Sequence, residues 1–117
     1  MEMKDAVTAL SALAHQGRLS AFRLLIQAGE DGLPAGALAR RLDVPANTLS
    51  ASLSILANAG LVESRRNGRS IIYSARFDKM TDLLGYLMQD CCGGAPEICG
   101  SLAEMVLRSQ CAALDPV

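Results

Sequence analysis

The 117-residue sequence contains no tryptophan, two phenylalanines (Phe22 and Phe77) and two tyrosines (Tyr73 and Tyr86), so any core it builds must be aliphatic. Its single histidine, His15, leaves no imidazole pair to offer a metal. No apolar run approaches the ~18 residues that a bilayer span requires. The N-terminus leads through Lys4 and Asp5 into a mixed helical pattern and lacks the apolar stretch of a signal peptide. Internal repeats and low-complexity segments are missing. So are a nucleophile–base–orienter set, a phosphate-cradling glycine loop and any cofactor motif, which points away from an enzyme. Basic charge is not in excess either: 11 Lys and Arg stand against 12 Asp and Glu, a net charge of −1. Nucleic-acid binders are often basic overall, so the sum weighs mildly against that role.

What is present is unevenly placed. The length suits one domain with a single modest core, and half the residues are apolar. Arg40, Arg41, Arg65, Arg66 and Arg69 cluster in mid-chain with Lys79 beyond, while Glu2, Asp5, Asp90, Glu97, Glu104 and Asp115 lie towards the ends. The four cysteines, Cys91, Cys92, Cys99 and Cys111, all fall in the last quarter. In a cytosolic chain such clustering indicates metal or redox chemistry rather than a disulfide framework. The expected compartment is a reducing cytoplasm, with no membrane partner.

The stretch Asp43 to Tyr73 organises the rest. It reads as a turn, a helix of roughly fourteen residues and a hairpin closed at Asn67-Gly68, a pair that tolerates the positive φ of a two-residue turn. That closure predicts strands over 61–66 and 69–74, with Arg66 directly opposite Arg69 and an anion between them to offset like-charge repulsion. In the helix, Leu49, Leu53 and Leu56 define a buried face; Asn47, Ala51, Ser54 and Asn58 lie opposite, flanked by Ser50 and Ile55. A small polar face beside an arginine-tipped ribbon is what a winged helix-turn-helix presents to a groove. Upstream, residues 3–14 carry an apolar stripe of Val7, Leu10, Leu13 and Ala14, and a second, nearly all-round apolar helix runs through Leu19, Phe22 and Ile26. Gly29 suits a left-handed position after it, and Pro34 opens a short helix ending at Leu42. Downstream, Met80, Leu83, Leu84, Leu87 and Met88 mark a helix from Phe77 to about Asp90, and Glu97 to about Cys111 recovers helical periodicity. The expected fold class is mainly α with a two-stranded β-wing, organised as a single domain.

The frame Asn47-Thr48-Leu49-Ser50-x-x-Leu53-x-x-Leu56-x-x-Ala59-Gly60-Leu61-Val62, set in the order helix, helix, helix-turn-helix, wing, helix, resembles the ArsR (ArsR/SmtB) family of bacterial repressors. Ala14-His15-Gln16-Gly17-Arg18-Leu19 resembles the family's opening of the second helix, with Gln16 where proline is common; Ser52 stands where histidine is frequent. The resemblance covers most of the chain. It implies a homodimer bound to double-stranded operator DNA, with helix-turn-helix 34–60, wing 61–75, dimer helices 3–14 and 77–90 and a C-terminal inducer-binding segment 91–111. The expected DNA-contacting residues are Asn47, Thr48, Ser50, Ala51, Ser52 and Ser54 on the helix and Arg65, Arg66 and Arg69 on the wing. Asn47 suits a bidentate contact to adenine, and Ser50 and Ser54 suit either base type. Thr48 and Ser52 suit phosphates, and the wing arginines suit phosphate or minor-groove contacts. The bland alternative for the hydroxyls is that they cap or solubilise a surface helix.

Adjacent Cys91 and Cys92 in a Gly-Gly-x-Pro loop can aim two sulfurs at one centre, and Cys99 at the next helix start can return a third. Three thiolates without a histidine or carboxylate favour a soft ion. As(III) fits because its lone pair leaves room for three sulfurs; Sb(III) would fit likewise. Zinc would want a fourth ligand, for which Cys111 is the sulfur left. The expected metal ligands are therefore Cys91, Cys92 and Cys99, and Cys111 reads as a buried free thiol. Asp90-Cys91-Cys92-Gly-Gly-x-Pro-Glu-x-Cys99 resembles the C-terminal site of one arsenite-responsive group of the family. The segment 37–42 lacks the family's Cys-x-Cys arsenic motif, and 77–89 lacks the His and Asp sets of its zinc sensors. The same thiols would also serve a redox or persulfide sensor, or a zinc-binding regulator. No organic cofactor is expected.

Overall fold

The computed structural model describes residues 1–88. Helices α1 (Met3–Leu13) and α2 (Gln16–Ala28) are followed by a 3₁₀ turn (Gly29–Asp31) and a two-residue strand β1 (Leu33–Pro34). Helices α3 (Ala35–Leu42) and α4 (Ala46–Asn58) come next, then the wing strands β2 (Val62–Asn67) and β3 (Ser70–Ala75), and α5 (Phe77–Leu87). The sheet has three antiparallel strands in the order β1-β3-β2. The expected ribbon of two strands thus gains a third. Leu33 pairs with Tyr73 and Pro34 with Ile72, which moors the wing to the body. Pro34 is therefore the last residue of a strand and caps α3 with extended backbone; lacking an N–H, it fits an edge strand at no cost to a ladder.

The core is aliphatic. Leu25, Leu38, Leu53, Leu56 and Leu61 are fully enclosed, with Phe22 the one buried aromatic ring among the described residues. Burying each leucine contributes about 1.5–3 kcal/mol, so this cluster dominates the folding energy. Leu49, Leu53 and Leu56 form the inner face of α4 as expected. One expectation upstream is corrected, in α2. In α1 the face turned inward is Ala6, Ala9 and Ala12, and Val7 and Leu10 of the apolar stripe on this expected dimer helix are exposed. Small residues let α1 lie close on its neighbours, and the bulky stripe is left outside. In α2 only Ala21, Phe22 and Leu25 are buried and Leu19 is exposed, so the helix is one-sided rather than apolar all round.

Helix ends are set by local chemistry. His15 Nδ1 accepts from the backbone N–H groups of Gly17 (3.1 Å) and Arg18 (3.3 Å), so the lone histidine is an N-cap for α2. With α2 starting at Gln16, the place where the family commonly carries proline is the first helical residue, which tolerates it. The Arg18 guanidinium donates to the Ala12 carbonyl at 2.6 Å and that of Ser11 at 3.3 Å, placing a cation at the C-terminus of α1. Both helices of the helix-turn-helix end in the same hydrogen-bond pattern. After α3, Asp43 takes a left-handed φ of 54° and Val44 N–H donates to the Ala39 carbonyl. After α4, Gly60 takes φ 79° and Leu61 N–H donates to the Leu56 carbonyl. This is the Schellman arrangement, completed by an apolar residue just beyond the glycine position. Gly29, by contrast, sits at φ 76°, ψ −159°, the mirror-extended region rather than the left-handed helical one expected for it.

Arg76 and Asp78 form an ion pair of 2.8 Å at the start of α5, which holds the Asp78 carboxyl below its ordinary range and raises Arg76. The helix expected to reach about Asp90 is described through Leu87. The remainder of it, the helix expected over 97–111 and all four cysteines lie outside the described residues. Among the described residues, no helix is long and apolar enough to cross a membrane.

Candidate DNA-binding interface

Helix α4 is aimed by its buried leucines. With Leu49, Leu53 and Leu56 locked inward, the 100° step leaves Asn47, Ser50, Ala51 and Ser54 exposed on the outer side. Thr48 is exposed and Ser52 half-buried on one flank. The Asn47 side-chain carbonyl accepts from the Thr48 N–H at 2.9 Å, leaving its amide group free to donate. The six helix residues singled out from the sequence therefore share one surface, with Ser52 at its edge. Ile55, expected beside the outward face, is exposed and also lines a cleft with Val7, Thr8 and Ser11 of α1.

The wing differs from expectation by one residue. Asn67 pairs with Ser70 and Arg66 with Ile71, so the central turn residues are Gly68 and Arg69, not Asn67 and Gly68. Gly68 has φ 65° while Arg69 has negative φ. That combination is a type II′ turn, which puts glycine at its first central position and matches strand twist as well as the type I′ alternative. The expected opposition of Arg66 and Arg69, and the anion between them, are thereby lost. Arg69 stands at the tip beside Pro34, Ala35 and Gly36 at the start of α3. Arg66 faces outward opposite the exposed Ile71. Arg65 lies on the other face of the ribbon, where its guanidinium donates to the Asp31 carbonyl at 2.9 Å. All three arginines are exposed, but Arg65 also braces the wing against the body.

On one flank of α4, a cleft of about 370 Å³ is lined by Gln16 and Ser20 of α2 together with Thr48 and Ser52. A second hollow, sharing Ser20, adds Arg23 and Gln27 of α2 and Arg41 of α3. These α2 residues were not singled out from the sequence. Their signal was present as the spacing 16, 20, 23, 27 along one helical face, but it was hidden by the density of leucine in the same segment.

A helix-turn-helix domain model matches residues 13–65. The biofilm growth-associated repressor of Agrobacterium fabrum is 39% identical over 88 residues, 75% of this chain and 71% of that protein. Among solved structures, the homodimeric winged helix-turn-helix DNA-binding domain of Mb0332 from Mycobacterium bovis, described as a possible ArsR-family regulator, superposes with a TM-score of 0.61 at 27% identity, covering 75% of this chain and 82% of that one. Reduced HlyU from Vibrio cholerae gives 0.60 at 27% identity, covering 76% and 90%. Frame, wing and relatives agree: the chain belongs to the ArsR family of winged helix-turn-helix transcriptional regulators.

Proposed function

We propose that this protein is a homodimeric repressor of arsenic-resistance genes, released from its operator when As(III) is bound by the thiolates of Cys91, Cys92 and Cys99. The observation that carries the DNA half is the pairing of a small, polar, outward α4 face with an exposed arginine wing. Two such heads on a two-fold axis would enter successive major grooves about 34–36 Å apart. Asn47, Ser50 and Ser54 read base edges, and Thr48, Ser52, Arg66 and Arg69 hold phosphates. Support for the dimer comes from Val7 (55% exposed), Leu10 (42%) and Leu87 (52%), an apolar surface on the first and last described helices that no described residue covers.

The arsenic half rests on the donor set: three soft thiolates within nine residues in the motif Cys91-Cys92…Cys99. As(III) cross-linking 91–92 to 99 would displace the segment that follows α5, and with it the dimer helices. Linkage then requires the DNA-bound form to bind As(III) less well, with a coupling of about 1–3 kcal/mol. The description of one relative in a reduced state supports a second reading, a thiol redox switch using the same cysteines.

The test is fluorescence anisotropy on an operator selected from a random duplex pool, with reduced protein titrated separately with arsenite, zinc and an oxidant. Stoichiometric arsenite should weaken binding by about 5- to 150-fold. Serine at Cys91, Cys92 or Cys99 should leave DNA affinity intact and abolish that response. Release by oxidant alone would replace the arsenic reading with the redox one. Loss of DNA binding in the serine variants would remove these cysteines from the sensing role.

A further inference from the structure

We infer that the DNA interface extends past α4 onto α2 and the end of α3, where Ser20, Arg23 and Arg41 follow the phosphate backbone on the side of the groove opposite the wing. The inference deepens the DNA-binding reading above and rests on it. A helix seated in a major groove has a phosphate strand on either side. The wing arginines are Arg66 within β2 and Arg69 at the turn, the latter beside the start of α3. The flank of α4 built by Thr48 and Ser52 opens into the cleft shared with Gln16 and Ser20, in whose lining no wing residue takes part. Ser20 continues into the hollow that holds Arg23, Gln27 and Arg41.

Three observations make this a track rather than ordinary solvated surface. Gln16, Ser20, Arg23 and Gln27 fall at i, i+4, i+7 and i+11 and are all exposed, so they form one polar stripe on a helix whose other side is core. At 1.5 Å per residue the stripe runs about 16 Å, enough to accompany a backbone over several base steps. No carboxylate lines either hollow, although acids slightly outnumber bases in the chain as a whole. Finally, neither Arg23 nor Arg41 is committed to an ion pair or a side-chain hydrogen bond among the described residues. In this they differ from Arg18, Arg65 and Arg76, which are all engaged by protein.

The test uses the full-length dimer and two labelled duplexes, one scrambled and one selected as operator, across a salt series. Phosphate contacts are sequence-blind, so Arg23→Gln and Arg41→Gln should each flatten the slope of log affinity against log salt by about 1, equally on both duplexes. Arg→Lys at either position should restore the slope. An Asn47→Ala variant should do the reverse, narrowing the preference for the operator with the slope unchanged. If the wild type shows a steep slope and the double glutamine variant matches it in slope and affinity, the track is refuted while the DNA-binding reading stands. A wild type that binds neither duplex overturns both.

Discussion

Gly29 and Gly32 bracket the 3₁₀ turn with nearly the same backbone, φ 76° and 70° with ψ −159° and −165°. Only glycine occupies that region without strain, and another residue costs about 1–3 kcal/mol there. Their surroundings differ. A Cβ on Gly29 would meet nothing within 4 Å, whereas one on Gly32 would overlap the Tyr73 carbonyl oxygen of β3. Gly29→Ala should therefore lose about 1–3 kcal/mol in urea unfolding, and Gly32→Ala should lose clearly more because β1 must leave β3. Equal losses would mean that the close approach is not a constraint. His15 invites a second comparison. Removing its cap with His15→Ala should cost about 0.5–2 kcal/mol, and His15→Asn should recover most of it. The place of His15 at the opening of the second helix was legible, but which nitrogen accepts and which two N–H groups donate depended on the bend between α1 and α2.

At the scale of elements, the recognition helix was readable because its burial has a single cause, the leucine repeat at 49, 53 and 56. The wing was readable as a hairpin but not in register. Asn67-Gly68 is as good a central pair for a type I′ turn as Gly68-Arg69 is for type II′, and moving the turn by one residue moves each cross-strand partner by two, so the alternation of faces is the same in both registers. What settled it was burial at the far end. Val62 and Ala75 pair beneath the wing and are both inside, and only the Asn67–Ser70 register brings them together. A Gly68→Ala substitution forces a side chain to φ 65° and should destabilise the domain by about 1–2 kcal/mol. It should also weaken DNA binding through Arg66 and Arg69. The short strand β1 left little trace, since Leu33-Pro34 is too brief to show any period.

For the whole molecule, the alanine face of α1 and its bulky outer stripe carry the strongest expectation. Val7→Glu with Leu10→Glu should leave the protomer folded, because both side chains are already half in solvent. The pair should turn a dimer into a monomer by light scattering. Operator affinity should then fall by about 10²- to 10⁴-fold as bivalent binding is lost. A folded variant that stays dimeric would place the interface elsewhere. Composition and periodicity by themselves determined a small aliphatic winged helix-turn-helix, the inward leucines of α4 and the outward polar face, because each is written in local spacing. Tertiary structure alone decided the side of α1 that faces the core, the exposed stripe of α2, the register of the wing and the third strand that moors it. In each of these cases the local pattern permits two answers of similar energy, and the choice is made by which neighbour leaves room for a close approach.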